Sequence, residues 1–173
     1  MALTDSLSAT IIASVDLAVN RSQSLGSFSG KDKAKVIHKN VFSDGSGTDQ
    51  ATGFFSSQFT ATTGGITISL ADSADPLGAA GDDVPTSDPE GLKLRAILIT
   101  NEDSTNYVTL VPGTNAITSW FGAGTHTLRI PAGGVLLATF PAGLDALNDG
   151  VDDEIKITAD TASVTVNIAY MFG

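Results

Sequence analysis

Apolar and polar residues alternate through much of this chain, most plainly at its end. There Val164, Val166, Ile168, Tyr170 and Phe172 share one parity, and Thr165, Asn167, Ala169 and Met171 share the other. A period of two is that of a β-strand with one buried face. The same period predicts a long first strand, with Ile11, Ala13, Val15, Leu17 and Val19 alternating with Thr10, Ile12, Ser14, Asp16 and Ala18. A short strand is expected over 35–42, and another over 53–61, where Phe55, Ser57, Phe59 and Ala61 fall on one side. Further strands are expected over 65–70, 92–100, 107–111, 127–130, 135–140, 154–159 and 164–172.

The breaks between these segments carry turn chemistry. Ser22 to Gly30 is rich in Ser and Gly, and SDGSGTDQAT over 43–52 has the small polar residues of an exposed loop. The strands over 92–100 and 107–111 flank Asn101-Glu102-Asp103-Ser104-Thr105-Asn106, which predicts a hairpin, and Asp160-Thr161-Ala162-Ser163 predicts a closing hairpin. Pro131-Ala132-Gly133-Gly134 predicts a bend or bulge between two pieces of strand. Over 71–91 three prolines, three glycines and six acidic residues exclude a helix or an interior strand. A loop of that length in a compact domain is a candidate for contact with another subunit.

Eight or more short strands, with no helical segment of three turns, predict an all-β chain. The expected architecture is a two-sheet antiparallel β-sandwich, jelly-roll-like, with long polar loops. An immunoglobulin order has less support, because there is no cysteine and Trp120 falls in a loop-like segment. With 173 residues, one domain over 1–173 is expected, with 1–30 as an N-terminal strand or arm and 71–91 as a long acidic surface loop. No fixed-period repeat points to a solenoid or propeller.

Composition narrows the classes of partner. The formal net charge is −10, from 19 acidic and 9 basic residues, which argues against a sequence-independent grip on nucleic acid. Charge is nevertheless uneven: Arg21, Lys31, Lys33, Lys35 and Lys39 crowd one early stretch, and no Lys or Arg lies between Asn40 and Leu92. That acidic stretch includes Asp72, Asp75, Asp82 and Asp83. Without cysteine, neither disulfides nor thiolate metal sites hold the fold. The first twenty residues lack the positive end of a signal peptide, and no apolar run reaches the ~20 residues of a membrane helix. No membrane partner is expected.

Candidate chemistry is sparse. Asp145, Asn148, Asp149, Asp152, Asp153 and Glu154 surround Gly150 with oxygen ligands of the kind calcium takes, but their spacing is not that of an EF-hand loop, and a solvated acidic loop explains them. The loop from Asp44 to Asp49 is a second oxygen-rich segment of the same kind. Gly26-Ser27-Phe28-Ser29-Gly30-Lys31-Asp32 has one residue too few for a phosphate-binding loop, and Asp32 stands where Ser or Thr is needed. His38 and His126 are the two histidines, and neither sits in a recognisable nucleophile frame. No catalytic residues, metal site or cofactor are therefore expected. Tyr107 and Trp120 are the candidates for an aromatic platform that binds a sugar, against the plainer role of packing.

Three segments carry a resemblance: 97–108 (ILITNEDSTNYV), 130–137 (IPAGGVLL) and the closing strand ending Ile168-Ala169-Tyr170-Met171-Phe172. An Asn-rich hairpin, a Pro-Ala-Gly turn and a Tyr-bearing last strand in that order resemble the small β-sandwich virion proteins of tailed bacteriophages. The resemblance covers roughly the last half of the chain and implies a non-enzymatic capsid decoration, or cement, protein. Such a protein is made in the host bacterial cytoplasm and sits on the outer capsid surface as a homotrimer bridging subunits of the major capsid protein. On that reading Lys31, Lys33, Lys35 and Lys39, or Asp72, Asp75, Asp82 and Asp83, are the candidates for capsid contact. The alternative is a tail, fibre or carbohydrate-binding β-sandwich module using Tyr107 and Trp120.

Overall fold

The computed structural model describes residues 8–22, 29–71, 89–122 and 126–173, with the side chains of 15–22 and 29–36 left aside. Two strands come first: β1 (Ala9–Ser22) and β2 (Ser29–Asp44). After the two-residue β3 (Gln50–Ala51) come β4 (Gly53–Ala61), β5 (Ile66–Ser69), β6 (Leu94–Asn101) and β7 (Val108–Pro112). A single helical turn, α1 (Thr118–Phe121), precedes β8 (Leu128–Ile130), β9 (Val135–Thr139), β10 (Glu154–Ala159) and β11 (Val164–Phe172). No helix among the described residues is long and apolar enough to cross a membrane.

Strands β4 to β11 form two four-stranded antiparallel sheets, in the orders β4-β11-β6-β9 and β5-β10-β7-β8. Successive strands change sheet at every step except β7 to β8. This is the eight-stranded jelly roll, with each Greek key passing back and forth across the core.

The alternation seen in the sequence sets the inner faces. In β11 Val164, Val166, Ile168, Tyr170 and Phe172 are buried while the residues between them are half-exposed. They meet Phe55, Phe59 and Ala61 of β4 and Ile97 and Ile99 of β6, and across the core Ile68, Val108, Leu110, Ile155 and Ile157 of the second sheet. Each fully buried Ile, Leu or Phe contributes about 1.5–3 kcal/mol. Phe55 lies 5.2 Å from Tyr170, and the Tyr170 hydroxyl donates to Leu70 O, tying the first sheet to the end of β5.

Three expectations change. The strands around Asn101–Asn106 do not pair: β6 lies in one sheet and β7 in the other, so the loop is an arch across the sandwich. The same holds for β10 and β11 around Asp160–Ser163. Pro131–Gly134 is no bulge within a strand, because β8 and β9 also lie in different sheets. Gly134 N–H donates to Pro131 O at 2.9 Å, and a Cβ at Gly134 would lie 2.7 Å from that same oxygen, so the tight turn requires glycine there.

The hairpin that does form was hidden in the sequence. β1 and β2 pair antiparallel over fourteen positions, from Ala9 opposite Phe42 to Ser22 opposite Ser29. At ~3.4 Å per residue this ribbon is about 45 Å long. β2 is therefore much longer than the short strand expected over 35–42, and the arm runs to Asp44 rather than ending at residue 30.

Candidate functional site

The arm and the sheet face at its root are built together. At the root Phe42 is fully buried, and Asn40 Nδ2 donates to Thr139 Oγ1 of β9 at 2.7 Å. The segment after β2 is closed by Ser43 N–H to Asp49 O, Gly45 N–H to Ala51 O and Gly47 N–H to the Gln50 side chain. Asp49, at φ +56°, then donates its N–H to Pro141 O at 3.0 Å.

Arg95 locks this root. Only 1% exposed, its guanidinium donates to three carbonyls from three separate segments: Gly173 O at 2.9 Å, Pro141 O at 3.0 Å and Ser46 O at 2.6 Å. Burial lowers its pKa, and the charge of nearby Asp49 acts in the opposite direction. Gly143, at φ +82°, allows the close approach, since a Cβ there would lie 2.6 Å from Lys93 Cβ and 3.1 Å from Arg95.

A second buried staple is Asn101. Its side-chain amide donates to Asn106 O at 2.9 Å, Ile130 O at 3.3 Å and Pro131 O at 3.0 Å, and its oxygen accepts the Asp103 N–H at 3.0 Å. Gly133 N–H reaches Asp103 O at 2.8 Å. The backbone N–H groups of Asn106 and Thr105 hold the Asp103 carboxylate below its ordinary pKa. The Asn-rich loop and the Pro-Ala-Gly turn are thus two halves of one structural corner. The sequence reading passed over Arg95 and took Asn101 only as part of a hairpin loop, although both share the inward parity of Ile97 and Ile99.

Between the arm and the outer face of the β4-β11-β6-β9 sheet lies a cavity of about 650 Å³. It is walled by Ala9 and Ile11 of the arm and by Phe54, Leu98, Leu137 and Met171 of the sheet, and its lining includes no histidine and no carboxylate. An outer sheet face is ordinarily polar, and the far half of this one is: Gln58 Nε2 donates to Asn167 Oδ1, and Asn167 Nδ2 to Thr100 Oγ1 and Glu102 Oε1. The apolar half lies beside the arm, where Ile12, Phe54 and Val135 are 59%, 46% and 64% exposed.

The residues singled out from the sequence fall as follows. Lys31, Lys33, Lys35 and Lys39 occupy alternate positions of β2, and Lys39 is exposed. Asp72, Asp75, Asp82 and Asp83 lie outside the described residues, as do Gly26–Phe28. Tyr107 lies beneath Arg129, whose guanidinium carbon is 3.4 Å from the ring centroid. Trp120 packs instead against Phe121 and Phe140, at 5.2 Å and 5.9 Å. The two rings belong to separate clusters, so these contacts do not bring them into one platform.

Three of the carboxylates around Gly150 are turned to three different partners. Asp145 accepts from Ser119 N–H, Glu154 accepts from Asn115 N–H, and Asp153 accepts from the Ser69 hydroxyl. No group of three metal-ligating side chains is gathered among the described residues. Asp153 is buried with its Oδ1 unpartnered; burial raises its pKa, the Ser69 bond opposes the shift, and Glu154 and Asp149 reinforce it. His126 Nδ1 lies 2.7 Å from Phe121 O, while His38 in the arm sits 3.5 Å from Thr139 Oγ1. Comparison of the chain with protein-family models, with curated proteins and with solved structures found no match.

Proposed function

We propose that this chain is a non-enzymatic structural protein of a phage particle, a decoration protein that stabilises the head by bridging subunits of the major capsid protein. The observation that carries the reading is the arm. A two-stranded ribbon leaves the root held by Arg95, and Lys31, Lys33, Lys35 and Lys39 recur on alternate positions of one strand. Alternate positions share a face, so the ribbon has a basic face suited to an acidic protein surface. The jelly roll is common to viral capsid proteins and to lectins, so the fold alone decides nothing. The turn-and-strand resemblance supplies the virion context.

Mechanistically, a protein that binds the assembled shell and not its free subunits stabilises the shell by mass action. Several copies joined as an oligomer present each weak contact more than once and gain avidity. The test is co-sedimentation with undecorated capsids, read together with the temperature at which the shells break. Saturable, salt-sensitive binding and a higher disruption temperature are expected. Replacing the four lysines by glutamine should abolish binding while leaving the sandwich's Tm unchanged. Wild-type protein that leaves the shells unbound and no more heat-resistant refutes the proposal.

A further inference from the structure

The opening of β1 is an unguarded strand edge. β1 ends the order β1-β2-β3, so its outer edge has no strand partner among the described residues. Sheet edges in water are ordinarily shielded by charge, by proline or by a bulge. The segment from Ser8 to Ser14, SATIIAS, has no charged residue and no proline, and its pairing with β2 runs without a register break. The cavity beside the arm is lined by five consecutive residues, Ser8 to Ile12, and by no residue of β2. It therefore follows that open edge, over a floor that includes Leu98, Leu137 and Met171. Directly paired residues share a face of a ribbon. Phe42 and Asn40, opposite Ala9 and Ile11, meet the chain's own sandwich at the root. Ile12 lies on the reverse face with Ile37 and Val41, and these three are 59%, 56% and 50% exposed. Covering them takes a body on the far side of the ribbon.

We infer that β1 pairs antiparallel, edge to edge, with β1 of a second copy, so that two arms form one four-stranded sheet with a sandwich on each side of it. The register that achieves this sets Ile11 opposite Ile12 of the partner subunit and Thr10 opposite Ala13 of the partner subunit. Because Ile11 and Ile12 have opposite parity, this register turns one ribbon over relative to the other, and each copy's Ile12 drops onto the floor beside the other's Ile11. Three observations select a second copy as the occupant. The groove is a slot for an extended strand, with neither histidine nor carboxylate in its lining, and Ser8 to Ser14 is such a strand, uncharged and apolar at its centre. Ile12 faces away from its own sandwich, and the turned-over partner is what brings a floor to that side. The two-fold arrangement also satisfies both edges at once and closes, leaving no β1 edge open for a third chain. The lysines of β2 stand one strand away from the junction. This inference stands apart from the shell reading, because its test contains no capsid.

Sedimentation velocity on the full chain at micromolar concentration is expected to show a dimer. Ile12→Asp, at an exposed position of the single chain, should give a monomer with an unchanged far-UV circular dichroism spectrum. Val151→Asp, at a position 60% exposed and outside the arm, should stay dimeric. A monomeric wild type, the trimer that the virion resemblance implies, an Ile12→Asp protein that remains a dimer, or a Val151→Asp protein that does not, overturns the inference.

Cysteines test the register. The chain has none of its own, and Thr10 and Ala13 are three residues apart on one strand, about 10 Å, out of reach of an intramolecular disulfide. A Thr10→Cys, Ala13→Cys protein should become a covalent dimer on mild oxidation. Neither single variant should, since its one thiol then lies opposite an unchanged residue of the partner strand. Cross-linking of a single variant, or none of the double variant, overturns the pairing equally.

Discussion

Replacing Arg95 by methionine removes three hydrogen bonds at 2.6–3.0 Å while roughly keeping the side chain's volume. Bonds to a charged donor are worth about 1.5–3 kcal/mol each, but their simple sum overstates the loss. Gly173 O keeps the Lys93 N–H at 3.2 Å, and Pro141 O keeps the Asp49 N–H at 3.0 Å. Ser46 O has no other donor among the described residues, yet Ser46 is exposed and water replaces the guanidinium there. Methionine also escapes the burial that lowers the Arg95 pKa. The net expectation is a loss of about 3 kcal/mol, which at this chain length lowers Tm by about 6–12 °C. Urea unfolding measures it as a lower midpoint at unchanged slope. Lysine at the same place keeps a buried charge but cannot span three separate carbonyls, so Arg95→Lys should be no better than the methionine variant. Because Ser46 lies just beyond the end of β2, amide exchange over 43–51 should also quicken, marking a loosened root. A methionine variant within about 1 kcal/mol of wild type, or a lysine variant equal to it, refutes Arg95 as the lock of the root.

Other outcomes are expected at the remaining polar groups. Asn101→Ala should cost about 2–3 kcal/mol, and Asn101→Asp should cost more at pH 7 and recover on acidification, because it sets a carboxylate against three carbonyl oxygens; urea midpoints at two pH values measure both. The raised pKa of Asp153 means that the folded state holds its proton more tightly than the unfolded chain does. Its protonation therefore adds stability, fully present below the ordinary carboxylate pKa and lost as pH rises through the folded value. The Tm of Asp153→Asn minus that of wild type should accordingly shrink from pH 7 to pH 4, and a difference independent of pH contradicts the assignment. Arg129→Ala should expose the Tyr107 ring and change Tm by only a few degrees, since an exposed cation–π pair is worth about 0.5–1 kcal/mol.

The strands were legible because burial writes a period of two, as in β4, β10 and β11. Which sheet each strand joins was not. Both inner faces of a sandwich demand the same alternation, and the short polar loops around Asp103 and Asp160 serve a hairpin or an arch equally well. The outer part of β2 was lost for a different reason: Gly30, Lys31, Asp32 and Lys33 bring no inward apolar residue, and what pairs them is register with β1. Arg95 stood between Leu94 and Ala96 at an inward parity, but a lone charge at a core position carries no sign of the distant carbonyls of 46, 141 and 173 that it binds.

Most of the large apolar side chains exposed among the described residues lie at the root of the arm and on the sheet beside it. Exposed Ile12, Ile37, Val41, Phe54 and Val135 lie on the arm and the sheet beside it, whereas the far half of that sheet is tied up by the Gln58, Asn167, Thr100 and Glu102 hydrogen bonds. An apolar surface gathered at one place marks a contact rather than sloppy packing.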